Sequence, residues 1–251
     1  MITLENKNVL VTGGSRGIGK ACVELFLKSG ANVAFTFHSA KEEAEKIVSD
    51  YSGSSKLKYY KVDLSDSNDI EKVIGSVLND FGQIDVIVNN AGIWKEAAID
   101  QMTLEEWNEM MNINLTSTFL ITKLVVPGMK KNNYGRIINI ASTAGQRGEA
   151  FHSHYAASKG GMISLTKSLA SELGKFNITV NCVAPGWVIT DMTTDSLADS
   201  DTNKKVISDI PLNKIAQPEE IAGPVLFLAS HLSSHITGEI LNVNGGSVLC
   251  G

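Results

Sequence analysis

Tyr155 and Lys159 bound the five-residue stretch "YAASK", and a spacing of four puts a phenol and an ammonium on one helix face, one turn apart. A phenol titrates near pH ~10, so by itself it is a poor proton donor or acceptor at neutral pH. From spacing alone the pair reads either as an exposed helix turn or as a phenol whose chemistry a cation assists. A second chemistry-bearing stretch is "TGGSRGIGKA", residues 12 to 21, which lies between a β-branched run and a segment of helical period. Glycines there permit positive φ and let an anion approach the N–H groups and positive dipole end of the helix. Gly13, Gly17 and Gly19 are the expected contact points, with Ser15, Arg16 and Ile18 between them.

The kind of nucleotide follows from the end of the second strand. A carboxylate about 20 residues beyond the glycines would bind the ribose hydroxyls of NAD and repel a 2'-phosphate. Here Phe37, His38 and Ser39 stand and the first acid is Glu42. Arg16 is a cation placed where it could meet that phosphate. The expectation is NADP(H), with His38 among its contacts; NAD(H) is the competing reading if Arg16 is only a solvated turn residue.

These groups need elements to position them. Short β-branched runs alternate with segments of helical period, the pattern of a parallel sheet covered on both faces. The strand candidates are "NVLVTG", "NVAFTF", "YYKVD", "DVIVNNAG", "GRIINIAS", "ITVNCVAPG" and "EILNVNGG". The expected fold is α/β, a doubly wound seven-stranded parallel sheet with helices on both faces, in one domain over 1–251. Between the strands, "GKACVELFLKSG" sets Ala21, Leu25 and Leu27 around one side and stops at Gly30, as a glycine-capped helix does. "AKEEAEKIVSDYSG" carries its glutamates early, where the helix dipole favours them, and "PEEIAGPVLFLAS" starts with Pro218, suited to a first helical position. The helix from Tyr155 continues with Met162, Leu165, Leu169 and Leu173 at a spacing that would face the sheet. The least regular stretch, about 187–213, is rich in Asp, Ser and Thr and is expected to be a substrate lid, or else a mobile loop.

Composition narrows the setting. Formal net charge is -5 and Lys and Arg form no run, so the footprint of a nucleic-acid binder is missing. No apolar stretch approaches the ~18 residues that span a bilayer, and the first residues lack a signal-peptide pattern. The expectation is a cytoplasmic chain with neither nucleic-acid nor membrane partners. Cys22, Cys182 and Cys250 are odd in number and far apart, which fits reduced thiols. The pairs His152/His154 and His231/His235 lack a third ligand and read as structural, so no metal is expected.

Six stretches in order, "TGGSRGIG" at 12–19, "NNAG" at 89–92, Asn114 in "NINL", Ser142 in "INIAS", "YAASK" at 155–159 and "PG" at 185–186, together resemble the single-domain branch of the short-chain dehydrogenase/reductase superfamily. Within it, "GRIINIAS", "ITVNCVAPGWVITDM" and "ITGEILNVNGG" are most similar to bacterial 3-oxoacyl-[acyl-carrier-protein] reductases. The resemblance implies a Rossmann-like fold and NADP(H)-dependent reduction of a carbonyl to a secondary alcohol. It makes Tyr155 the general acid, with its pKa lowered toward neutrality by Lys159. Ser142 would hydrogen-bond the same carbonyl oxygen as charge develops there. Lys159 would also hold the nicotinamide ribose, and Asn114 would fix a water that resupplies the proton. Asp63 is implied at the adenine, and Asn90, Ala91 and Gly92 beside the cofactor. Pro185, Gly186, Ile189 and Thr190 are implied near the nicotinamide amide and pyrophosphate, although strand-edge packing explains Ile189 equally well.

The implied substrate is an acyl-thioester carbonyl, or alternatively another small ketone, a sugar or a steroid. An acyl carrier protein is an implied partner, yet Asn133 and Phe176 stand where its basic contacts are usual, with Lys130, Lys131 and Lys175 nearby. Gly160, Gly161 and Ser164 leave a flat helix face, and the resemblance implies a homotetramer through it. A non-catalytic nucleotide sensor, the reading from a different class, would be expected to have lost Tyr155 or Lys159; both are present.

Overall fold

The computed structural model describes residues 2–53 and 56–249; the expectation for Cys250 falls outside them. The first half of the chain runs β1 (Asn8–Val11), α1 (Gly17–Lys28), β2 (Asn32–Phe37), α2 (Lys41–Asp50), β3 (Leu57–Lys61), α3 (Ser67–Phe81) and β4 (Val86–Asn89). Next come α4 (Leu104–Met111), a π-helical turn (Asn112–Thr116), α5 (Ser117–Asn132), β5 (Gly135–Ile140), α6 (Ala144–Arg147) and α7 (Ser153–Leu173). The chain closes with β6 (Ile178–Pro185), α8 (Thr194–Ala198), α9 (Ser200–Ser208), α10 (Pro218–Ala229) and β7 (Ile240–Val243). All described pairings are parallel and the seven strands lie in the order β3-β2-β1-β4-β5-β6-β7.

The pleat sends alternate residues to opposite faces, and the core divides accordingly. Val9, Val11, Val33, Phe35, Val86 and Val88 pack with α1 and α10, whereas Leu10, Ala34, Ile87, Ile137 and Val180 pack with α3, α5 and α7. Strands covered on both sides need apolar residues at nearly every position, which is why these runs read so clearly in sequence. Strand order reverses between β1 and β4, and a ligand crevice opens at such a switch point, outside the carboxyl ends of the strands. There Thr12 N–H donates to the Val88 carbonyl at 3.0 Å, so the glycine turn and the "NNAG" stretch lie side by side.

Helix ends differ in a way that bears on function. Asp66 caps α3 and α4 begins with a complete capping box built on Thr103/Glu106, while at the start of α10 the Glu220 carboxylate accepts from Gln217 N; such caps contribute about 1 kcal/mol each. By contrast, α1 starts with no side-chain cap and no acid in its first turn. Its free N–H groups open toward the crevice.

Three expectations change. The buried line of α7 is His154, Ser158, Met162, Thr166, Ala170 and Leu173, with Leu165 and Leu169 only partly covered. Small and hydroxyl side chains let this helix lie close to the sheet, where Thr166 Oγ1 accepts from Asn139 at 2.9 Å. Gly160 and Gly161 serve packing within the chain: a Cβ on Gly161 would stand 2.7 Å from a Leu115 methyl, and Gly145 seats against the backbone at Lys159 and Gly160. Finally, about half of 187–213 is helical. Asp199 caps α9, and Val206, Ile210 and Ile215 form a small core with Trp187, Leu197 and Ile207. No helix of the described residues is long and apolar enough to cross a membrane.

Candidate active site

A cleft of about 440 Å³ runs along the carboxyl ends of β1, β2, β4, β5 and β6, within the range of small-molecule sites. On its first side, Gly13 and Gly17 hold φ of 64° and 53°, in the left-handed region that side chains resist. Ser15, Arg16 and Ile18 line the cleft beside them. Gly19 does not. It is buried, and a Cβ there would sit 2.1 Å from the Gly13 carbonyl oxygen, so Gly19 permits the helix to start against the turn instead of contacting a ligand.

The "NNAG" stretch braces this turn. Asn90 Nδ2 donates to the carbonyls of Thr12 (2.9 Å) and Gly13 (3.1 Å), and Thr12 Oγ1 accepts from the N–H groups of Asn90 and Ala91. Asn89 crosslinks β4 to β5 through Asn139 at 2.8 Å. At the far end His38, Ser39 and Asp63 are exposed and line the cleft. The Asp63 carboxylate accepts from Ser65 N and Oγ, which hold it below the usual carboxylate range, with His38 adding to the effect. Arg16 does not stand free: its guanidinium lies 3.5 Å from Asp191, both side chains being mostly exposed.

Pro185, Gly186 and Thr190 line the same cleft. Thr190 reaches the glycine turn, its methyl 3.2 Å from where a Gly17 Cβ would be. Ile189 is 46% exposed and off the cleft; its N–H donates to Ala216, so edge packing accounts for it.

The proton-carrying groups sit deeper. Tyr155 is partly buried and lines the cleft together with Ser142, whose Oγ accepts from Ala144 N at 3.1 Å. Lys159 is buried, its Nζ donating to the Ile140 carbonyl at 2.7 Å and standing 5.8 Å from the centre of the Tyr155 ring. Burial pushes Tyr155 up to about 12, with Ser142 pulling part of the way back and Glu149 adding to the rise. That reverses the expected lowering. Removing a phenolate from water costs more than its surroundings return. Burial also lowers Lys159 to about 8.

Asn114 is wholly buried in the π-helical turn and does not line the cleft. Its Oδ1 accepts from Ile93 N at 2.8 Å, and its Nδ2 donates to Ile93 O (3.0 Å) and Ser158 Oγ (3.2 Å). The side chain thus ties the loop after β4 to α7, and Gly92 leaves room for both Asn114 and Lys159.

Sequence reasoning missed the opposite wall. Trp94 stacks flat on His152, with ring centres 4.4 Å apart, and meets Trp187 edge-on at 6.1 Å. Glu149 and Arg147 also line the cleft. A signal existed for the tryptophans, since each closely follows a strand whose carboxyl end faces the crevice. His152 itself is structural, its Nδ1 donating to the Ala150 carbonyl at 3.0 Å.

An uncapped helix start, positive-φ glycines and a phenol, a hydroxyl and an ammonium in one cleft fit a phosphate-bearing dinucleotide beside a reacting carbonyl, and they define an oxidoreductase. A family model described as enoyl-(acyl carrier protein) reductase matches residues 13–247. The chain is 42% identical over 245 residues to the 3-oxoacyl-[acyl-carrier-protein] reductase FabG of Vibrio cholerae, covering 98% of each. It superposes with TM-score 0.91 and 32% identity on a short-chain dehydrogenase/reductase described as glucose/ribitol dehydrogenase from Brucella melitensis, covering 99% of each chain. A putative NAD(P)-dependent gluconate 5-dehydrogenase from Beutenbergia cavernae, with bound NADP, gives TM-score 0.92 at 33% identity over 98% of each. The chain belongs to the short-chain dehydrogenase/reductase family.

Proposed function

We infer that this chain reduces the ketone of a 3-oxoacyl thioester to a secondary alcohol with NADPH, the activity named for its Vibrio cholerae relative. The observation that carries this reading is the meeting of Tyr155, Ser142 and Lys159 in the cleft that α1 opens into. When bound, NADPH supplies the hydride. Tyr155, neutral at pH 7, holds the proton that the carbonyl oxygen takes up, and the Ser142 hydroxyl hydrogen-bonds the same oxygen. Lys159 presents its ammonium on the inner side of the phenol and stabilises the phenolate until solvent returns a proton. Asn114 keeps the loop after β4 against this group. The balance is ketone plus NADPH plus one proton, giving alcohol plus NADP+.

For the dinucleotide, Gly13, Ser15, Gly17, Ile18 and Thr190 take the pyrophosphate side. Arg16 and His38 take the 2'-phosphate, as no carboxylate ends β2. Asp63 takes the adenine. Asn90, Ala91, Gly92, Pro185 and Gly186 enclose the nicotinamide half with Tyr155 and Lys159. An acidic carrier protein would meet Lys130 and Lys175, whose ammonium groups lie 5.0 and 5.2 Å from the Phe176 ring. The working form is a cytoplasmic homotetramer, each chain one domain with 187–213 as its lid.

The test is NADPH oxidation with acetoacetyl carrier protein, acetoacetyl-CoA and crotonyl-CoA. Turnover of the first two, none of the third and a lower KM for NADPH than NADH are expected. Glu at both Lys130 and Lys175 should raise KM for the carrier thioester alone. Reduction of sugar or steroid ketones with no activity on any 3-oxoacyl thioester would overturn the reading.

A further inference from the structure

The substrate side of the cleft holds a carboxylate that ketone reduction does not call for. Glu149 lines the cleft with Tyr155 and Ser142, its side chain 22% exposed and Oε1 3.8 Å from His152 Nδ1. That imidazole is engaged elsewhere, with Nδ1 donating to the nearer Ala150 carbonyl and the ring flat on Trp94. The other charges of the cleft have partners or are open to solvent. Lys95 is paired with Glu109 at 2.6 to 2.8 Å, Arg16 with Asp191, and Lys159 faces Ile140. Arg147, His38 and Asp63 line the cleft as well, with their side chains exposed to solvent. Among the described acidic side chains, Glu149 is the one whose charge raises the Tyr155 phenol.

Its position is held by strained backbone. Gly148 has φ of 77° and Phe151 has φ of 62°, a conformation that costs a bulky residue about 1–3 kcal/mol. The Phe151 ring is 59% exposed, so burying it is not what the strain achieves. Instead the segment is fastened by Ala97 N donating to Phe151 O at 2.8 Å and His152 N donating to Glu149 O at 3.2 Å, which sets Glu149 and His152 against the cleft wall.

We propose that Glu149 selects the substrate: its carboxylate accepts a hydrogen bond from an O–H or N–H group borne near the reacting ketone and keeps out ketones that carry a carboxylate. Trp94 and Trp187 supply the apolar wall for the carbon skeleton. The inference rests on the carbonyl-reductase reading and names a class within it. Neutral ketones with a donor belong, including hydroxyketones and thioesters whose arm carries amide N–H groups; free keto acids do not.

Three methyl ketones that differ only beyond the methylene test this: acetoacetate, ethyl acetoacetate and 4-hydroxy-2-butanone. Wild-type kcat/KM for the ester should exceed that for acetoacetate by about tenfold or more, since like charges repel strongly in a desolvated cleft. Glu149→Gln should raise acetoacetate by about tenfold, lower hydroxybutanone by about threefold to tenfold and leave the ester within about twofold. A merely structural role would move all three in one direction, and that result overturns the proposal. So would a wild type that reduces acetoacetate as readily as the ester, a measurement that needs no variant. If the wild type reduces none of the three and no 3-oxoacyl thioester either, the carbonyl-reductase reading falls and the inference with it.

Discussion

The two sides of the cleft are built from different materials. The nucleotide side is backbone: glycines at positive φ, an uncapped helix start and an asparagine holding the carbonyls of Thr12 and Gly13. The substrate side is made of side chains, with Trp94, Glu149 and Trp187 arriving from three separate connections. A backbone site needs residues that are small or absent at fixed local spacing, so one turn can specify it. A side-chain site needs the whole fold to bring distant groups together, and it can change its ligand without disturbing the first.

If that division holds, damage to one side should spare the other. Tyr155→Phe removes the proton and little volume, so kcat should fall about 10³-fold while the Kd for NADPH, measured by fluorescence titration, stays within about twofold. Comparable loss of both would mean the sides are not separable. On the nucleotide side, two glycines should part company. Gly19→Ala drives a methyl to 2.1 Å from the Gly13 carbonyl and should cost about 3 kcal/mol of stability, lowering Tm by about 6–12 °C. Gly17→Ala meets only the Thr190 methyl at 3.2 Å with φ of 53°; a strain of about 1–2 kcal/mol should weaken nucleotide binding with a much smaller change in Tm.

The same division explains what could be read in advance. The central strands were legible because each is an apolar, largely β-branched run covered on both faces, unlike the part-exposed β3 and β7, and the glycine turn because its requirements are local. The helical character of 187–213 was not, since Val206, Ile210 and Ile215 lie among polar residues and join only through their own small core. Nor could spacing say whether Gly19 touches a ligand or a carbonyl. A separation of four put Lys159 and Tyr155 on one face without fixing where the ammonium points. It points to Ile140, and the phenol is raised where a lowering was expected. Glu149, six residues before Tyr155, follows no periodicity at all.

That raised phenol fixes the sign of the pH dependence. Alcohol oxidation needs the phenolate; with Tyr155 at about 12, its fraction climbs about tenfold per pH unit across the usable range. Oxidation of ethyl 3-hydroxybutyrate should therefore rise with that slope. Reduction uses the neutral phenol and is flat on its account, but Lys159 loses its proton above about 8, so kcat/KM for reduction should decline there. A flat profile from pH 7 to 10 would show that the lysine charge is not needed.

The smallest effect concerns an ion pair that joins the glycine turn to the 187–213 segment. Arg16 and Asp191 are 61% and 64% exposed at 3.5 Å, so the pair contributes at most ~1 kcal/mol and less at high salt. A 2'-phosphate and Asp191 would compete for the same guanidinium. Asp191→Asn should then tighten NADPH by about twofold to threefold and leave NADH unchanged, with the difference shrinking as ionic strength rises. An equal gain for both nucleotides would mean that Asp191 acts by moving the segment, not by occupying Arg16. In that case the substrate side would control the nucleotide side, and the division between backbone and side-chain sites would not be a division of labour.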